Sequence, residues 1–503
     1  MTEKSSIHLP GWAQQNTTGA KASFISMAQP AKKPIADEVA RLIQNRANGI
    51  DPPDIFGAID DVNAIGHESL LPALAKAPMP TQPLTVRIGS SQCRQPYEAS
   101  LLNCSALSFG PMSKPFITAL NQAAFRGSFY QNTGEAGLSP YHLGVDVDID
   151  ADGFDAESFF QHMALNGVDT MKQAGDAVWQ IGNGYFGCRK PDGSFDPEQF
   201  RIKTSLSPIK MIEVKLSQGV EPWARMPVKE VTPGIAKLLG VDLAKQAILQ
   251  NRHAEFNSPV ELLHFVQQLR TLSGGKPIGL KMGVSHRHYI LALCKAMRKT
   301  GILLDFITVD GMEGGTAAAQ PGSLGFTGTA LNDAVVFVHN ALTGTRLRHE
   351  VRIIASGKVF TERDMIHKLA RGADLCATAR GMMLAVGCDQ QLKCNQGTCT
   401  QGIATQDPRF LANFNTQHNA ERLYQYHQRT LNGLYSLLAI AGLTHADQLR
   451  PFHLQKRVNY ADVLPLDEVY DFLKPGALLT WFPWALPKRY KRHWQMADPY
   501  APF

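Results

Sequence analysis

The chain has 503 residues, of which 44% are apolar and 19% charged, with a formal charge of +6. This balance is that of a globular protein, and no apolar run approaches the ~20 residues that a membrane-spanning helix needs. Eight cysteines are too few for a disulfide scaffold of this size, so a reduced, cytoplasmic setting is expected. The N-terminal stretch MTEKSSIHLPGWAQQ has no apolar core of a secretory signal.

Residues 1–35 are polar and aperiodic. Residues 36–49 (ADEVARLIQNRANG) predict a helix with Val39, Leu42 and Ile43 on one face and a Gly stop. Residues 50–100 are rich in Pro and turn residues and predict a wrapping segment. From about residue 100, short apolar runs alternate with amphipathic stretches. Eight strands are expected: Leu102–Ala106, Phe129–Asn132, Ala177–Gln180, Met211–Lys215, Ile278–Met282, Phe306–Asp310, Arg352–Ser356 and Asp374–Thr378. Helices are expected between several of them, at Ser113–Arg126, Ser258–Leu272 and Glu362–Arg371. Strands alternating with helices imply βα units and a parallel sheet, and eight units suggest a (β/α)8 barrel, or TIM barrel. A doubly wound open sheet competes, but no GxGxxG follows an early strand. Residues 1–100 are expected as an N-terminal extension, 101–410 as the barrel, and 411–503 as a mostly helical extension, helical over Phe410–Ala441, ending in a Pro- and aromatic-rich tail. The basic run Lys488, Arg489, Lys491, Arg492 and His493 reads as a solvated tail rather than a patch for nucleic acid or membrane.

In such a barrel chemistry collects at the C-terminal ends of the strands. Those ends carry Ser105 to Gly110, Gln131 to Glu135, Lys215 with Gln218, Lys281, Asp310 to Gly315, Ser356 to Lys358, and Thr378 to Gly381. Glycines after the last two strands suit a phosphate held by backbone N–H groups. A Lys rising from the fifth strand suits negative charge on a reduced flavin. Singly, each Gly is a turn and each Lys a structural ion pair. Together they favour a phosphorylated cofactor.

Three cysteines, Cys388, Cys394 and Cys399, lie in GCDQQLKCNQGTCTQGIATQDP. Thiolates this close in a Gly-rich segment can turn toward one soft metal centre. Three ligands argue against a closed four-cysteine zinc site, and an iron–sulfur cluster with one vacant corner fits. Three unrelated loop thiols is the other reading. A barrel with Cys188 or Cys376 as nucleophile competes as well, though nothing near either suggests a base.

The stretches SFGPMS (108–113), QNTGEAG (131–137), GNGYFG (182–187), EVKLSQG (213–219), Lys281, DGMEGGTAAAQP (310–321), SGKVFTERD (356–364) and LAVGCDQQLKCNQGTCTQGIATQDP (384–408) occur in this order. Across about residues 100–410 the chain resembles the FMN-binding synthase domain of glutamate synthase. The resemblance implies a (β/α)8 barrel that reductively aminates 2-oxoglutarate with ammonia, using FMN and a [3Fe-4S] relay. It implies that Ser108, Lys281, Gly314, Gly315, Gly357, Ala379, Arg380 and Gly381 surround FMN, with Gly357 and the 379–381 turn nearest its phosphate. It further implies that Cys388, Cys394 and Cys399 hold the cluster, and that Glu135, Lys215 and Gln218 face the substrate.

One segment departs from that pattern. Where the family has a second Lys and a Gly-rich turn, this chain has GVEPWARMPV, with Glu221 in place of the Lys and Trp223, Ala224, Arg225 and Met226 in the turn. A negative charge facing a dicarboxylate costs affinity unless Arg225 offsets it. A different amine or oxo acid is therefore a second expectation, and a non-catalytic FMN and iron–sulfur relay subunit a third. No Cys follows Met1, and the first is Cys93; the glutaminase part is therefore expected to be missing, and ammonia to come from solution, a separate glutaminase or another donor. Without a dinucleotide fingerprint, electrons are expected from a reductase subunit or a ferredoxin.

Overall fold

The computed structural model describes residues 33–50, 61–218, 231–242, 252–315, 325–480 and 486–503. Its centre is an eight-stranded parallel sheet of strands β1 (Leu102–Cys104), β2 (Gln131–Asn132), β3 (Ala177–Ile181), β4 (Ile209–Lys215), β5 (Ile278–Gly283), β6 (Phe306–Asp310), β7 (Arg352–Ser356) and β8 (Leu375–Thr378). The spatial order is β1-β8-β7-β6-β5-β4-β3-β2. The ring closes where the Cys104 N–H donates to the Tyr130 carbonyl (3.0 Å) and Ala106 bridges Asn132. The expected eight-stranded barrel is therefore found. β1 and β2 are shorter than expected, and their ends contribute single bonds rather than continuous ladder.

The helices start where the sequence supplies caps. The Ser113 side chain accepts from Phe116 N–H at the start of Lys114–Gly127, and Ser258 does the same for Glu261 at Pro259–Leu272. Thr361 and Asp364 form a reciprocal box at Glu362–Leu369. Each cap satisfies N–H groups that the first helical turn leaves open.

Strand alternation sorts the barrel interior into layers. Tyr130, Val178, Met211, Phe306, Ile354 and Leu375 form an apolar layer toward the N-terminal ends. A β-carbon at Gly279 would fall 2.4 Å from the Phe306 ring, so glycine makes room for that ring. The hairpin of Thr85–Ile88 and Tyr97–Ser100 adds Ile88 and Tyr97 to this layer and plugs the barrel's lower end. The 50–100 stretch is therefore more than a wrapping segment.

Two further departures concern the C-terminal part. The long helix Thr416–Ile440 is as expected, but Leu454–Arg457 pairs with Glu68–Leu70 and Val463–Pro465 in a small antiparallel sheet. The basic run is solvated as expected, with Lys488, Arg489 and Arg492 exposed, but it is not a loose tail. It forms the helix Lys488–Met496, whose buried Tyr490 stacks on Phe337 at 5.5 Å and accepts a 2.6 Å hydrogen bond from Asn340. Its periodicity was masked by charge, because one buried aromatic suffices to dock so short a helix. Among the described residues no helix is long and apolar enough to cross a membrane.

Asp305 fastens the plug. Its buried carboxylate pairs with Arg270 (3.0 Å) and accepts from the Ser90 N–H (2.6 Å), the Ser90 hydroxyl (2.7 Å) and the Ile278 N–H (2.7 Å). Removing one partner of a buried ion pair strands the other. Asp305→Ala is expected to destabilise the fold by about 3–5 kcal/mol, seen as a lower urea midpoint; an unchanged midpoint would contradict this role.

Candidate active site

Above the apolar layer the barrel interior turns polar. The Glu213 carboxylate on β4 accepts from Asn132 on β2 (2.8 Å), Gln180 on β3 (2.7 Å) and Thr308 on β6 (2.5 Å). Ser105 and Ser356 meet at 3.0 Å across β1 and β7. Lys281 on β5 is buried, with its ammonium 3.5 Å from Asp310 at the end of β6. Burial alone would push this ammonium's pKa down, but Asp310 and then Glu213 reverse the effect, so Lys281 is held above its ordinary value. Sequence reasoning missed Glu213. The available signal was a carboxylate two residues before Lys215 in an otherwise apolar strand, hence on the same face.

At the C-terminal mouth Lys215, the last residue of β4, pairs with Glu135 from the loop after β2 at 2.5 Å. The Lys is buried and the Glu carboxylate partly open. A β-carbon at Gly182 would fall 2.6 Å from the Glu135 carboxylate, so the Gly after β3 is what admits this side chain. Gln218 follows Lys215 in the same half-buried turn. The Lys215 carbonyl accepts from His253 Nε2 (2.9 Å), whose Nδ1 meets the Tyr185 hydroxyl (3.2 Å). Burial pushes the His253 pKa down to about 4, so the neutral ring donates from Nε2 and accepts at Nδ1. His253 also escaped the sequence reading, since a lone His between charged residues carries no signal.

The expected cofactor residues occupy neighbouring turns of the same mouth. Ser108 follows β1, and its hydroxyl accepts from the Ala136 N–H (3.4 Å). Gly134 has φ +65°, and a β-carbon there would overlap the Ser108 hydroxyl at 2.1 Å. Gly357 after β7 has φ +134°, and its β-carbon would press on the Gly311 nitrogen at 3.2 Å; glycine alone tolerates that backbone. Gly314 donates to the Gly311 carbonyl (3.0 Å), and Gly315 follows it. Glu313 is spent structurally, accepting from the Leu331 N–H at the start of helix Leu331–Gly344. Ala379, Arg380 and Gly381 open the short helix after β8, with Gly381 N–H on the Thr378 hydroxyl (3.2 Å).

Cys388, Cys394 and Cys399 lie on the loop after that helix, half-buried and free of disulfides. Burial pushes the Cys388 thiol up to about 11, and Cys394 and Cys399 add to the shift. Burial and Cys399 raise Cys394 while the Arg380 guanidinium opposes them. The thiols thus feel one another, yet among the described residues no three His, Cys, Asp or Glu side chains are gathered as a ready metal site. The loop is stapled to the Ser108 turn: Gln406 donates to the Gly110 carbonyl (2.7 Å) and Ser113 to the Gly402 carbonyl (2.6 Å). Cys188 and Cys376 are fully buried, and burial pushes each thiol up to about 12; neither suits a nucleophile. The altered 221–226 segment lies outside the described residues, as do residues 316–321 of the Gly-rich stretch after β6.

These features define a closed parallel barrel with a charged site at the C-terminal ends of its strands. A family model described as the conserved region in glutamate synthase matches residues 74–444, and the chain belongs to this family. It is 33% identical over 385 residues to the glutamate synthase large subunit-like protein YerD of Bacillus subtilis (strain 168), covering 76% of this chain and 68% of YerD. It is 25% identical over 349 residues to an archaeal-type glutamate synthase (NADPH) of Thermotoga neapolitana, covering 69% of this chain and 60% of that protein. An archaeal glutamate synthase (NADPH) of Methanocaldococcus jannaschii shares 28% identity over 276 residues, 54% of this chain and 51% of the relative.

Burial holds the His142, His253 and His427 rings neutral, each with its pKa pushed down to about 4. An unfolded His titrates near 6.5, so between pH 6.5 and 4 the unfolded chain takes up protons that the folded chain refuses. Stability is therefore expected to fall as pH drops through this window, by several kcal/mol in all. Urea midpoints at pH 7 and pH 5 measure this, and equal midpoints would contradict it.

Proposed function

We propose that this chain is a glutamate synthase-like flavin oxidoreductase. It would reductively aminate 2-oxoglutarate, or a related oxo acid, with ammonia or an amine, giving L-glutamate or an N-substituted relative. The observation that carries the reading is the Lys215–Glu135 contact at the mouth of a barrel whose chain matches the glutamate synthase region.

FMN fits the residues present. Lys281 is a buried cation held protonated, and such a charge favours an anionic ring edge. Gly357 and the Ala379–Gly381 turn, where Gly381 N–H is shared with the Thr378 hydroxyl, would supply backbone N–H groups for a phosphate, with Ser108, Gly314 and Gly315 on neighbouring turns of the mouth. Cys388, Cys394 and Cys399 form a soft donor set on one loop, right for a [3Fe-4S] cluster. Bound there, FMN would supply the hydride and the cluster the electrons that replenish it.

The chain's own groups do the rest. Lys215 exchanges Glu135 for a substrate carboxylate, which it meets as a compact point charge. The freed Glu135 carboxylate then takes a proton from the attacking nitrogen and returns one to the departing oxygen. Gln218, one turn on, orients the substrate's polar end. Electrons would arrive from a separate reductase or ferredoxin, ammonia from solution or a separate glutaminase, and the setting would be cytoplasmic. A second reading keeps the scaffold and changes the amine or oxo acid; Glu221, where a Lys is expected, favours it.

Anaerobically purified protein should be yellow-brown, release FMN and contain iron, and colourless, iron-free protein would remove the reading. Glu135→Gln should lower kcat about 10²–10⁴-fold, while Lys215→Met should chiefly raise KM for the oxo acid. Turnover by Glu135→Gln equal to wild type, with no bound substrate detectable, would favour an electron-relay subunit instead. A panel of oxo acids and amines with flavin reoxidation as readout separates the two substrate readings.

A further inference from the structure

The segment before the family-matching region touches the site. Residues 33–47 precede residue 74, where the glutamate synthase match begins, yet they lie against the loops after β7 and β8. The Ile35 N–H donates to the Gln390 side-chain carbonyl (3.0 Å), and the Gln390 amide donates back to the Ile35 carbonyl (3.1 Å). Lys358, next to Gly357, reaches the Pro34 carbonyl (3.1 Å). The helix Asp37–Ala47 that follows packs on helix Arg380–Ala385, which leads directly into Cys388, and on Thr416–Ile440. The buried Arg46–Glu362 pair (2.7 Å) anchors its far end.

The gripped residue is unusual. Gln390 (φ +60°) and Leu392 (φ +60°) both hold left-handed backbone without being glycine, as does Lys358 (φ +47°). Such conformations persist only where surrounding contacts over-determine them. The Gln390 backbone N–H is also a hydrogen-bonding neighbour of the Cys388 thiol, two residues away, and opposes the upward push of burial on it. Hydrogen bonds to cluster sulfurs are one of the means by which a protein tunes an iron–sulfur centre. Other polar ties of the thiol loop run from Gln391 and Gln401 to Asp389 and from the Thr405 hydroxyl to the Gly397 carbonyl, while Ser113 holds its far end through Gly402. The Ile35–Gln390 pair spans 355 positions in the chain.

We propose that the Lys33–Ile35 segment is a clamp, with Gln390 its positioning residue, that holds the Cys388–Cys399 loop in the conformation that receives iron. The clamp's role toward iron rests on the cluster reading above; its grip on the loop does not.

The test uses full-length wild type, Gln390→Ala and Gln390→Glu. Glu keeps the acceptor for the Ile35 N–H and loses the donor to its carbonyl. In iron-free protein, site-resolved iodoacetamide labelling should be about tenfold faster at Cys388 in Gln390→Ala, equivalent to ~1.4 kcal/mol of lost closure. Gln390→Glu should be intermediate, and the half-buried Cys93 in the lower plug unchanged. In anaerobically loaded protein, Gln390→Ala should hold less iron and show an altered cluster EPR signal. Equal Cys388 labelling in Gln390→Ala and wild type overturns the clamp. So does a matching rise at Cys93, which would mean general loosening. Iron-free wild type would defeat the cluster reading, while the labelling rates would still decide the clamp.

Discussion

One buried carboxylate organises the centre of this barrel. Glu213 accepts hydrogen bonds from β2, β3 and β6 and carries the negative charge that helps hold Lys281 protonated on β5. An ion in a protein interior is tolerated only when its lone pairs are occupied and its charge is met. Four strands must therefore be in register for Glu213 to be satisfied, and a slip of one residue on any of them would turn its partner outward. The same constraint that closes the barrel thereby sets the height and charge of the site above it.

The site inherits its layout from strand alternation. Met211, Glu213 and Lys215 share one face of β4, and Phe306, Thr308 and Asp310 share one face of β6. Climbing each strand leads from apolar packing through an uncharged or neutralised hydrogen-bonded layer to groups that meet solvent and substrate. The plug secured by Asp305 packs against the lower end, and the polar groups described here face the C-terminal mouth. The thiol loop is tied to that opening on two sides, through Gln406 and Ser113 to the turn after β1 and through Gln390 to the N-terminal segment. A largely exposed loop, with one short 3-10 turn at Cys394–Gln396, is in this way held in place at both ends.

Much of the framework was legible from residue order. The strands ending in Lys215, Asp310, Ser356 and Thr378 read correctly, as did the strand that carries Lys281, because apolar runs bounded by turn residues have few other uses. The helices expected at Ser113–Arg126, Ser258–Leu272 and Glu362–Arg371 were legible as amphipathic stretches, and each begins in the structure at a capping Ser or Thr. Glu135 and Lys215 were singled out by their places at strand ends, and the barrel brings them into contact. The misreadings share a cause. The Leu454–Arg457 strand is polar and stable only beside Glu68–Leu70, nearly 400 residues earlier in the chain. The Lys488–Met496 run reads as a tail because its docking as a helix depends on Tyr490 finding Phe337.

Periodicity and the strand-end residues suggested, from the sequence alone, an eightfold βα barrel with Glu135, Lys215 and Lys281 near the strand ends, since these are consequences of local chemistry repeated along the chain. Tertiary structure decided what local chemistry cannot encode: that Glu213 is the hub, that His253 holds the Lys215 backbone, and that Ile35 grips Gln390. Each of these is a contact between distant segments, and its free energy exists only once the closed ring has brought both partners out of water and into reach.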